Sequence, residues 1–187
     1  MKKVMFMLAA VACAASVQAA TIKWGTGSVK LPGTTTNMSA SNTTLYFWSE
    51  DISDPWASTK VTKTGDGDTA VYTVAATDAK GVSYKTGAAT ITGNTSTYNK
   101  DDTAYGAVII TYDATGDGKI GVGDYYMTGT GSYHLDADVS RTPGLTMGSW
   151  TQITTSSSGG GENVPEPTSG LLLLVGAGML ALRRKQK

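Results

Sequence analysis

Cysteine is nearly missing from this sequence: the single one, Cys13, lies inside an apolar stretch from Val4 to Ala15. Once that stretch is removed, no disulfide, thiolate metal site or cysteine nucleophile can form. Histidine also occurs once, as His134. That excludes a His-Glu-x-x-His zinc helix, and neither a Gly-x-Ser-x-Gly elbow nor a phosphate-cradling glycine loop is written anywhere. Leucine is scarce between the two ends, at positions 31, 45, 135 and 145 only, and no stretch there holds a sustained helical period. A helical bundle is therefore excluded. The formal net charge of zero hides an asymmetry. Between residues 20 and 166 stand nine bases against fifteen acids, a net charge near −6. A domain of that sign does not suit nucleic acid, which demands clustered Lys and Arg.

What the sequence does have is Thr, Ser, Gly, Tyr and Asn, with β-branched and aromatic residues at short intervals, a composition that favours strands. Alternating segments between turn residues predict strands at 21–24, 44–48, 70–75, 82–85, 88–92, 105–112, 124–128, 132–135 and 150–153. Pro32-Gly33, Gly65-Asp66-Gly67-Asp68, Gly93-Asn94 and Gly129-Thr130-Gly131 read as the intervening turns. The most apolar segment, Gly106 to Tyr112, belongs in the middle of a sheet. The expected fold class is all-β: a single antiparallel β-sandwich or jelly-roll-like domain over residues 20–153.

The flanks are of another kind. Lys2 and Lys3, the apolar stretch, and small or β-branched residues at Val17 and Ala19 make residues 1–19 a cleavable signal peptide, a substrate for signal peptidase and the secretion machinery. Residues 154–164 (TTSSSGGGENV) form a Gly/Ser-rich linker. Pro165, Glu166 and Pro167 follow, then the uncharged stretch Leu171 to Leu182, then Arg183, Arg184 and Lys185. Twelve residues of helix span about 18 Å at 1.5 Å per residue, against a hydrocarbon core about 30 Å thick. Such a tail holds a membrane weakly, with its basic stop on the cytoplasmic side. Residues 165–187 closely resemble a PEP-CTERM sorting signal, in which a Pro-Glu-Pro motif, a hydrophobic helix and a basic cluster occur in this order. The resemblance implies an exosortase-like membrane protease as partner and removal of the tail after export. It also implies transient anchoring at the inner membrane, before delivery to the outer surface or the extracellular matrix.

Three constellations inside the domain are candidates for chemistry. Asp113 to Asp124 spans twelve residues and resembles the calcium loops of EF-hand and dockerin proteins over those positions only. Asp113, Thr115, Asp117, the Lys119 carbonyl and Asp124 fall at positions 1, 3, 5, 7 and 12, with Gly118 at the turn position 6. Thr at position 3, Asp at position 12 and flanking strands depart from that pattern, and an ion-free hairpin turn is the competing reading. The second constellation is aromatic. Trp48 and Trp56 are expected to pack in the core, where few Leu and Phe are available, with stacking on sugar rings as the alternative. In an extended strand Tyr46 and Trp48 share one face and Phe47 takes the other. Asp136 and Asp138 share a face near His134, a weak basis for hydrolase chemistry. The expectation is an exported, non-enzymatic surface or exopolysaccharide-matrix protein with a structural or interaction role. The alternative is a secreted carbohydrate-binding module that uses exposed aromatics and calcium.

Overall fold

The computed structural model describes residues 20–93, 98–136 and 140–155. The signal-peptide segment 1–19, the linker from residue 156 onward, the sorting signal 165–187 and Asp138 lie outside the described residues. The strands are β1 (Lys23–Ser28), β2 (Thr44–Trp48), β3 (Val61–Thr64), β4 (Val71–Val74) and β5 (Gly81–Lys85). They continue with β6 (Ala88–Thr92), β7 (Thr103–Tyr112), β8 (Tyr125–His134), β9 (Thr146–Met147) and β10 (Thr151–Gln152). A 3₁₀ turn at Gly67–Thr69 joins β3 to β4, and there is no α-helix among the described residues. All strand pairings are antiparallel, and the class is the all-β one that the sequence predicts.

The central sheet runs β10-β8-β7-β2, with β9 also pairing β8. As its apolar run requires, β7 lies inside this sheet, between β2 and β8. Alternation sends its side chains to two different cores. Ala104, Val108 and Ile110 point to one side, where they meet Ile22, Trp24 and Ile91 of the three-stranded sheet β1-β6-β5. Ile109 points to the other side, where Trp48, Trp56, Val61 and Tyr72 gather under the hairpin β3-β4. Each such buried aliphatic side chain is worth about 1.5–3 kcal/mol relative to exposure. The outcome is a sandwich of two sheets with a hairpin as a third, smaller layer. No strand is expected from the sequence at β3, because Val61-Thr-Lys-Thr64 holds one apolar residue.

One expected turn is not a turn. Gly129-Thr130-Gly131 lies in mid-strand, so the two predicted segments 124–128 and 132–135 form one ten-residue strand, β8. The glycines are there for packing. A Cβ on Gly131 would stand 2.9 Å from Trp24 Cζ3, and one on Gly129 would collide with the Met147 sulfur.

Two free strand edges are closed by the chain itself. Along β2, the Thr77 hydroxyl accepts from the Phe47 N–H (2.8 Å) and Asp78 N–H donates to the Phe47 carbonyl (2.7 Å). Along β1, Lys23 N–H donates to Arg141 O (2.9 Å) and Gly25 N–H to Pro143 O (2.9 Å). Such covering denies the edge to a second chain.

Candidate functional site

The twelve residues Asp113–Asp124 connect β7 to β8, closed at the base by the cross-strand pair Tyr112 and Tyr125. Gly118 has φ +78°, the left-handed conformation that a sharp turn at the sixth position needs. The loop brings the carboxylates of Asp113, Asp117 and Asp124 together, one oxygen from each lying within 4.8 Å of the others. Asp117 is exposed, Asp113 half-buried and Asp124 buried, at 1 % relative accessibility.

Backbone N–H groups converge on these oxygens. Asp124 Oδ1 accepts from Ala114 (2.9 Å) and Thr115 (3.0 Å), and its Oδ2 accepts from Gly121 (2.8 Å). Asp113 Oδ1 accepts from Gly116 N–H (2.6 Å) and the Thr115 hydroxyl (3.1 Å), and Oδ2 accepts from Gly118 N–H (2.8 Å). Lys119 takes part through its N–H, which donates to Asp117 Oδ1 at 2.8 Å. Desolvation is the largest single influence on Asp113 and raises its pKa. The hydrogen bonds from Gly118, Gly116, Thr115 and Asp117 together outweigh it and hold the carboxyl below its ordinary value.

Three carboxylates and a hydroxyl suit a hard cation. The same oxygens are already engaged by N–H donors, so the loop has a shape that does not depend on an ion. It is also tied to its surroundings. Tyr72 N–H donates to Ile120 O (2.7 Å), Gly123 N–H to Ile153 O (2.9 Å) and Ile153 N–H to Asp124 O (2.8 Å). A polar cleft of about 390 Å³ lies alongside, between Ser41, Asn42 and Thr44 on one side and Tyr112 and Asp113 on the other.

Trp48 and Trp56 are not where a sugar site needs them. Both are buried, at 1 % and 3 % relative accessibility. Trp56 stacks on Tyr126 with ring centroids 3.8 Å apart and planes 6° from parallel. Trp48 Nε1 donates to Ala76 O at 2.9 Å, and the Lys60 ammonium stands 5.8 Å from its ring centroid. Neither offers an open ring face. The reason is compositional: with four leucines and one phenylalanine in this part of the chain, tryptophan must fill the interior. Tyr46 and Trp48 do share the hairpin side of β2, and Phe47 the opposite side. Trp150 is half-exposed beside Tyr112, but the two rings meet at 66° and make no flat platform. His134 is exposed, with Nδ1 3.4 Å from the Thr103 hydroxyl, and Asp136 is exposed as well.

The β domain thus has covered edges at β1 and β2 and one acidic loop. At the other end of the chain, residues 163–186 match the PEP-CTERM protein-sorting motif. The chain carries the C-terminal address of an exported protein that transits the membrane and is sorted by exosortase. No curated protein and no solved structure matches it.

Proposed function

We propose that this chain is a structural or interaction component of the cell surface or its polysaccharide matrix. On this reading, residues 1–19 direct export and are removed, and an exosortase-type protease cuts near Pro165-Glu166-Pro167 while Arg183, Arg184 and Lys185 hold the tail on the cytoplasmic side. The observation that carries it is the sorting-motif match at residues 163–186. The weak hydrophobic tail supports it, since an anchor too short for the bilayer suits a pause rather than permanent residence. The covered edges of β1 and β2 support it too, because a protein outside the cell persists without chaperones and gains from edges closed to aggregation.

The role is non-catalytic in this proposal. Calcium uptake by Asp113, Asp117 and Asp124 is a secondary part of it, supported by their mutual reach of 4.8 Å and tested by calorimetric titration with calcium alone. The sorting reading is tested by replacing Pro165, Glu166 and Pro167 with alanine and following the size and location of the protein. Full-length chain should then accumulate in the membrane fraction. Unchanged processing removes the exosortase step.

A further inference from the structure

The two faces of the central sheet are covered unequally. The three-stranded sheet packs on one, while the other carries the small hairpin β3-β4 and continues beyond it with polar side chains. There, Tyr105 of β7 lies opposite Ser132 of β8, Ala107 lies opposite Thr130, and Thr146 of β9 lies beside Thr130. By alternation these side chains project from the same face as Ile109. The segment 50–53, leaving the end of β2, stands across from them. Together they enclose an open groove of about 520 Å³, lined chiefly by Glu50, Asp51, Tyr105, Thr130, Ser132 and Thr146. Its floor is a continuous ten-residue ladder, so these groups are fixed relative to one another. Its wall is braced by the ion pair of Glu50 with Lys60, at 2.6 Å.

The lining decides what can enter. Glu50 and Asp51 repel phosphates and uronates, and Lys60 is engaged by Glu50. Ile52 and the Tyr105 ring supply the apolar surface, too little for the side-chain pockets of a peptide groove. What suits the groove is a neutral molecule with hydroxyls along its edge and C–H groups on its face. Carboxylates accept from sugar hydroxyls, Ser and Thr hydroxyls both donate and accept, and a tyrosine ring takes the apolar face. The volume lies in the range of small-molecule clefts, about 300–1,000 Å³. We infer that this groove binds a neutral polysaccharide through Asp51, Tyr105, Thr130 and Ser132. The site differs from the buried Trp48 and Trp56, and it does not depend on the sorting signal, so either reading can fail alone.

The test is affinity electrophoresis of the full-length chain in a polyoxyethylene detergent, through native gels containing mixed-linkage β-glucan, galactomannan or dextran. Alginate serves as the acidic comparison and chitosan as the cationic one. At least one neutral polymer should retard the protein, undiminished at about 0.5 M NaCl, where charge attraction is screened. Thr130→Trp, which fills the groove, and Tyr105→Ala should each weaken retardation by about tenfold. Asp51→Asn, on an exposed loop where folding is not at stake, should weaken it by about threefold. The proposal is overturned if no neutral polymer retards the chain, or if Thr130→Trp and Asp51→Asn both bind like wild type. It is equally overturned if only chitosan or alginate binds and salt abolishes the effect.

Discussion

Trp24 of β1 is seated on Gly106 of β7: a Cβ on that glycine would stand 2.8 Å from the indole Cε2. Gly131, directly opposite Gly106 on β8, completes the seat. The two sheets approach closely here because the central one presents bare backbone to the largest side chain of the other. Gly106→Ala and Gly131→Ala should therefore each destabilise the domain by about 1–3 kcal/mol, through overpacking. Gly81→Ala, where nothing lies within 4 Å, serves as the control. Urea melts would show the midpoint falling with an unchanged slope for the first two. Equal midpoints for all three would mean that the indole is not held against the glycines.

The two tryptophans under the hairpin should respond differently to removal of the indole nitrogen. Trp48 Nε1 donates to Ala76 O, whereas the buried Trp56 Nε1 has no partner. Both Phe variants lose ring volume, but only Trp48→Phe strands an acceptor and loosens the segment that covers the edge of β2. Its loss of stability should exceed that of Trp56→Phe by about 1 kcal/mol in paired denaturant melts.

Asp113 makes stability depend on pH in a definite direction. Its pKa is lowered in the folded state, so its contribution is fully present above the ordinary value of 3.8 and disappears as pH falls through the lower folded value. Wild type should lose more melting temperature than Asp113→Asn between about pH 6 and about pH 2.5. Parallel profiles would show that the hydrogen bonds from Gly116 and Gly118 do not favour the charged form.

The acidic loop should survive chelation. N–H donors hold its carboxylates in place with or without calcium, so EDTA should shift the melting temperature by less than about 2 °C. Asp124→Ala should cost about 3 kcal/mol, because the N–H groups of Ala114, Thr115 and Gly121 lose a charged acceptor. A large EDTA effect would show that an ion is structural.

The tail should become a permanent anchor when lengthened. Inserting about eight leucines after Leu174 gives an apolar stretch of about twenty residues, long enough to cross the bilayer as a helix. The lengthened protein should stay in the inner-membrane fraction after cell breakage, while the natural chain is released after processing. Identical release of both would show that length does not govern retention.

Much of the fold and of the acidic loop is legible in the sequence. Alternation in Thr44–Trp48 and the apolar run of β7 located the central sheet, because side chains two apart in a strand must share a face. The twelve-residue spacing of Asp113 and Asp124 located the loop, because short-range hydrogen bonding is written in local sequence. Gly129 and Gly131 misled because glycine has two uses, bending a chain and admitting a neighbour. Only the arrival of Trp24 and Met147 from distant segments distinguishes them. The groove at Tyr105 had no sequence signal either, since its lining comes from four separate segments.

By itself, the sequence determined the class of fold, the acidic loop and the address at the C-terminus. Each rests on periodicity, composition or contiguous residues, which need no partner to be legible. The tertiary structure alone decided that Trp48 and Trp56 lie inside, that β8 runs unbroken past its glycines, and that part of one face of the central sheet, beyond the hairpin β3-β4, stays open. Those outcomes depend on which distant surfaces meet, and burial is a property of the pair rather than of either residue.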